Sequence, residues 1–138
     1  MTDIKKDITP YLKGDQFDEG ERKTFELISV KVVPKQTLEN GVWKDVIRKV
    51  ERYDRETKKL IMDSFTPEAF AIKMIETNDE SCFVRNIKLQ SDIATKRFRE
   101  ILGDKKRLKD EFQDVAGMKV VFESLRNEGY PPSVVPLA

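Results

Sequence analysis

The order of strand-like and helix-like runs is what most constrains the fold of this chain. Three runs rich in β-branched and aromatic residues come first, over 24–33, 43–53 and 58–65. A short capped helix follows over 67–77, then a fourth strand over 81–90, a charged helical stretch over 92–115 and a fifth strand over 118–125. This β-β-β-α-β-α-β order predicts a mainly β fold with α elements. It fits a small five-stranded barrel carrying an added basic helix, or another α+β single domain with the same string of elements. At 138 residues the chain is long enough for one domain with a real core and short for two. The expected organisation is an N-terminal polar segment docking on the barrel (1–23), one domain (24–125) and a proline-containing C-terminal tail (126–138).

Each element has a local reason. In TFELISVKVV, Ile28, Val30 and Val32 share one face by period two, while Phe25 and Leu27 fall on the other. That change of phase near Leu27-Ile28 predicts a β-bulge or a strand buried on both sides. Pro34 ends the run, and a polar connection to Gly41 carries Asn40-Gly41 as its turn signal. WKDVIRKVERY and KKLIMDSF, joined by a short polar break, read as a hairpin. Thr66-Pro67-Glu68 combines an N-cap residue, a proline suited to the first helical position and an acid suited to the positive helix end. Phe70, Met74 and Ile75 then form one stripe beside Ala71, a face able to plug a barrel end. In SCFVRNIKLQ, Phe83, Ile87 and Leu89 share a parity, and Cys82 reads as a small core residue. The helical spacing of Phe98, Ile101, Leu102, Leu108 and Phe112 is interrupted near Gly103-Asp104. Tyr11-Leu12 is expected to dock over one end of the barrel, and the tail with Pro131, Pro132 and Pro136 is read as extended and irregular.

Composition excludes more than it selects. The chain has no histidine and one cysteine, Cys82. The common zinc sites, the Ser-His-Asp arrangement and Cys-His nucleophile pairs are therefore impossible. Asp15, Asp18, Glu19 and Glu21 lie close in sequence without a metal-loop pattern, Asp3 and Asp7 have no evident partner in sequence, and no lysine stands out as a nucleophile. The expectation is a non-catalytic protein without metal or cofactor. One cysteine cannot form an internal disulfide, and neither a signal-peptide core nor an apolar run of about 20 residues is present. A cytoplasmic, soluble protein without a membrane partner is the plain expectation.

Net charge is only +1, but the charge is unevenly spread. Residues 85–109 hold nine basic and three acidic groups, net +6, whereas 110–138 hold two and five, net −3. This is what a one-sided basic surface looks like in sequence. Phosphate chains reward clustered cations, and unpaired bases reward exposed aromatic faces. The second and third predicted strands interleave both kinds of residue. Trp43 and Tyr53 are candidate stacking platforms, and Arg48, Lys49, Arg52, Lys58 and Lys59 are candidate phosphate contacts. Lys96, Arg97, Arg99, Lys105, Lys106 and Arg107 extend the cationic set along the helical stretch. Phe65 is better read as core or as a staple to the following helix.

In element order, over about residues 24–125 and with the Trp43–Lys59 hairpin, the chain resembles single-stranded-DNA-binding proteins of the oligonucleotide-binding (OB) fold. The resemblance implies a partly open barrel that binds oligonucleotides on the face of its second and third strands. It implies binding of single-stranded DNA or RNA, DNA preferred, by stacking and phosphate contacts. The competing expectation is an assembly module of a phage, viral or accessory kind, docking a protein partner through residues 129–138.

Overall fold

The computed structural model describes residues 11–13, 16–18, 20–124 and 132–135. Its main sheet is organised around β1 (Arg22–Pro34), thirteen residues long. Phe25, Leu27, Val30 and Val32 all point into the core. That set changes parity between Leu27 and Val30, and the ladder shifts register between Leu27 and Ser29, which decides for the bulge of the two alternatives that the phase change leaves open. The bulge keeps both halves of the strand facing one core while the strand bends.

One edge of β1 pairs antiparallel with β6 (Glu68–Glu76), which pairs antiparallel with β7 (Val84–Leu89). The other edge pairs with β10 (Lys119–Glu123), which carries β11 (Ser133–Val135). Further along that edge, Lys31 pairs with Glu111 of a small hairpin, β8 (Arg107–Leu108) and β9 (Glu111–Phe112). The path is β11-β10-β1-β6-β7. Three successive strands of this sheet and a fourth that returns beside the first make a Greek key. Helix α1 (Asp92–Leu102) lies in the return connection and packs against β11. Ser91 caps it by accepting the Ala94 N–H at 3.1 Å, and Gly103 ends it with a positive φ of 57°. Phe98 of α1 meets Phe70 of β6 at 5.3 Å between ring centroids, and Phe25 meets Phe122 edge-on at 5.7 Å. The protein is thus mainly β, with antiparallel sheets and one helix among the described residues.

Between β1 and β6 the chain leaves the sheet and forms two separate hairpins. The first is β2 (Gln36–Glu39) with β3 (Val42–Asp45), and the second is β4 (Arg48–Asp54) with β5 (Lys59–Phe65). Asn40 and Gly41, with φ of 50° and 78°, make the tight turn of the first. The expected single strand over 43–53 is therefore two strands in two hairpins. The expected polar connection before it contains β2.

The largest correction concerns 67–77, which is strand β6 and not a helix. Phe70, Ile72 and Met74 are buried and Lys73 is exposed, a period of two. The ladder to β1 satisfies the backbone along the whole segment, and that tertiary pairing outweighs the Thr66-Pro67-Glu68 cap signal. Over 92–115, only the first half is helix; the remainder includes the β8–β9 hairpin. Part of the tail is structured too, since Val134 of β11 is buried in the core. Residues 125–131 and 136–138, with Asp3, Asp7, Asp15 and Glu19, lie outside the described residues. Leu12 is buried and its N–H donates to the Asn86 carbonyl at 2.8 Å, so this segment docks along β7. Cys82 is exposed in the turn before β7, not in the core.

The period-two assignment of β6 predicts opposite outcomes at adjacent positions. Ile72→Ala is expected to lower unfolding free energy by about 2–5 kcal/mol. Lys73→Ala should stay within about 0.5 kcal/mol. Denaturant melts of both variants check the contrast.

Candidate functional site

Because β6 is a strand, the outer face of the β1-β6-β7 meander is a continuous surface. Its rows follow from register: Ser29, Lys73 and Asn86 stand side by side, and Lys31, Ala71 and Lys88 form the next row. These residues, with Val33 and Tyr11, line an open concavity of about 420 Å³. Lys31, Lys73 and Lys88 are exposed and make no ion pair among the described residues. Among the described residues no carboxylate lines the trough. Glu111 borders it opposite Lys31 on β9, and Glu26 lies on β1 beyond the bulge. Small side chains at Ala71 and Ser29 leave the floor shallow. Three lysine amines above such a floor make this face of the sheet locally cationic.

None of the three lysines is among the residues that the sequence nominates. The signal was nonetheless present. Each is a single lysine between two apolar neighbours: Val30-Lys31-Val32, Ile72-Lys73-Met74 and Ile87-Lys88-Leu89. In a strand whose neighbours face the core, such a lysine must face away from it.

The nominated residues are distributed differently. Trp43 on β3 is 59% exposed and Tyr53 on β4 is 58% exposed, so neither roofs the core. Phe65 at the end of β5 is also exposed, because the helix it was expected to staple is absent. Lys49, Lys58 and Lys59 are exposed on the same hairpin and free of ion pairs among the described residues. Arg48 and Arg52 are engaged: Arg48 bonds Asp92 at 3.1 Å and Arg52 bonds Asp63 at 2.8 Å. Arg107 bonds Glu68 at 2.7 Å and lies 3.6 Å from Asp110. These carboxylates hold its guanidinium charged even more firmly than usual, the Glu68 hydrogen bond being the main cause. Lys96, Arg97 and Arg99 are exposed on α1, with the Arg99 guanidinium 5.4 Å from the Phe70 ring centroid. Helix α1 packs on the core side of β6, through Phe98 and Phe70. Its cations and the trough lysines therefore belong to opposite faces of the sheet. Lys105 is half-buried and Lys106 exposed, just before β8.

Asp92 ties the two-hairpin excursion to this framework. Its carboxylate accepts from Arg48 and lies 3.7 Å from the Lys35 amine, joining the bases of the hairpins to the first turn of α1. The Gln36 N–H adds a bond to the Gln90 side chain at 2.8 Å, next to β7. The Arg48 hydrogen bond, aided by the positive charges of Arg48 and Lys35, holds the Asp92 carboxyl below the usual carboxylate range.

Among the described residues no group of three His, Cys, Asp or Glu is placed to hold a metal ion, and no helix is long and apolar enough to cross a membrane. No protein-family model, curated protein or solved structure matches the chain.

The Asp92 anchor has a defined pH dependence. A carboxyl depressed in the folded state contributes while pH is above its unfolded value of about 3.9, and the contribution is lost as pH falls through the lower folded value. Asp92→Asn at neutral pH should therefore speed amide exchange in 48–65 while the melting temperature of the main sheet barely moves. Wild type should reach the same state only below the ordinary carboxylate range. Hydrogen exchange followed from pH 7 down to acid pH measures both.

Proposed function

We propose that this protein is a non-catalytic module that binds single-stranded nucleic acid in the manner of an OB fold. The observation that carries the reading is the trough lined by Lys31, Lys73 and Lys88 across the first three strands of a Greek key, with no carboxylate lining it among the described residues. In an OB fold the face of the second and third strands, with the loop joining the first two, is the binding surface. Here β6 and β7 take the places of second and third strand. The two hairpins occupy the place of that loop, α1 lies between the third and fourth strands, and β10 and β11 complete five strands.

The chemistry of the surface matches the polymer. Lysine amines on a shallow floor follow a phosphate chain without demanding one base sequence. Ser29 and Asn86 supply neutral hydrogen-bonding groups beside them. Tyr11 at the edge and Trp43 and Tyr53 on the hairpins supply rings on which unpaired bases can stack, and such stacking tolerates any base. A duplex has its bases already stacked and offers these rings nothing. The helix cations Lys96 and Arg97, lying across the sheet from the trough, are not required in this reading.

The test is fluorescence anisotropy with labelled poly-dT, poly-U and matching duplex DNA over a salt series. Neutralising about four phosphates on a single strand gives a slope of log affinity against log salt of about −3. The triple variant Lys31→Ala, Lys73→Ala, Lys88→Ala should flatten that slope to about −1. Trp43→Ala or Tyr53→Ala should cost about 1–3 kcal/mol of binding where the ring stacks on a base. Absence of single-strand binding at low salt, or a triple variant that binds as wild type does, sinks the proposal.

A further inference from the structure

We infer that the free edge of β5 is a pairing surface for a second copy of this chain, so that two β4–β5 hairpins join into one four-stranded antiparallel sheet. This inference does not depend on the nucleic-acid reading. It begins from an imbalance in the fold. Of the large apolar side chains exposed on the described surface, most lie in the two hairpins, among them Trp43, Val50, Tyr53, Leu60, Met62 and Phe65. The β4–β5 hairpin is a two-stranded sheet with no third strand among the described residues. An isolated hairpin is marginally stable in water, whereas several strands sharing an apolar face are stable.

The sequence of β5 is self-complementary about Ile61. Antiparallel strands related by a two-fold axis pair residue i of one with residue j of the other at a constant sum of i and j. With the axis at Ile61, the two Ile61 residues face each other and Leu60 faces Met62 twice. Lys59 faces Asp63 twice, placing opposite charges at both ends of an apolar centre. Lys59 has no ion pair among the described residues, and Asp63 already holds Arg52 at 2.8 Å. The second copy's lysine would complete an Arg-Asp-Lys cluster.

The register within the hairpin sets Tyr53 beside Leu60, so joining the two copies makes a strip of Tyr53, Leu60 and Met62 that continues into the same residues of the other copy. Other symmetric registers are worse. An axis at Met62 sets Ile61 against Asp63. On the opposite edge, an axis at Glu51 of β4 opposes two glutamates, one at Val50 opposes Arg48 to Arg52, and one at Arg52 opposes two arginines. Like charges therefore guard the β4 edge, a common defence of open edges, and β5 lacks that guard at its centre.

Sedimentation equilibrium of the full chain over a concentration series, with site-specific cross-linking, tests the inference. In a Cys82→Ser background, which removes the exposed native thiol, Ile61→Cys puts two thiols across the axis. Ser64→Cys puts its two thiols about 20 Å apart along the strands, far beyond disulfide reach. The expected result is doubling of the mass as concentration rises through tens of micromolar to about 1 mM, with oxidation cross-linking Ile61→Cys and sparing Ser64→Cys. A monomeric mass throughout overturns the inference. So does a dimer in which Ile61→Cys stays reduced or Ser64→Cys cross-links equally.

Discussion

The structure depends on the double use of β1. This strand satisfies its backbone on both edges, with β6 on one side and with β10 and then β9 on the other. The apolar residues of this strand change parity between Leu27 and Val30, so an unbroken pleat would bury only one half of them on one side. The bulge at Ile28 resolves the conflict by shifting the side-chain phase by one residue, so that Phe25 and Leu27 face the same core as Val30 and Val32. Burying side chains of this size contributes roughly 1.5–3 kcal/mol each. Moving the phase back would send one pair of them to solvent and bring Ser29 and Lys31 toward Phe70 and Ile72. The position of the lysine trough thus follows from the same bulge that completes the core.

The stretch from 35 to 67 obeys a different logic. It holds no residue of the buried core, and both faces of its strands meet solvent. The Lys35 N–H on the Pro67 carbonyl closes its base, and its attachment to the framework is polar: the Gln36 N–H on Gln90 and the charges of Arg48 and Lys35 on Asp92. Polar anchors set position without supplying the burial that gives stability. Such a segment can move or find a partner while the main sheet stays intact. The exposed Trp43, Tyr53, Leu60 and Met62 are the groups that gain most from contact with another molecule.

Charge follows the same division. The richest basic run in sequence, 85–109, is scattered by the fold. Arg107 is taken up by Glu68, Arg99 stacks on Phe70, and Lys96 and Arg97 sit on the helix. Lys88 alone joins the trough. A run of cations in sequence becomes a field in space only where the backbone keeps its members on one face, and a helix packed on the core side of a sheet does the opposite.

Much of the β framework was legible from local pattern. The bulge near Ile28, the tight turn at Asn40-Gly41, the β4–β5 hairpin, the helix break at Gly103 and the strand after Gly117 each follow from the residues in place, because period, turn chemistry and capping act over a few positions. The sequence by itself also determined what chemistry was open, since a chain without histidine cannot build imidazole sites. What it left undecided was partnership. EAFAIKMIE carries a helix cap ahead of it and a period-two core face within it, and only the ladder to β1 selects the strand. Lys31, Lys73 and Lys88, far apart in the chain, become neighbours only through the registers of β1 with β6 and β6 with β7. Local sequence encodes a residue's preferred conformation and which way it faces. Which faces are brought together depends on long-range backbone pairing, and only the tertiary structure decided that.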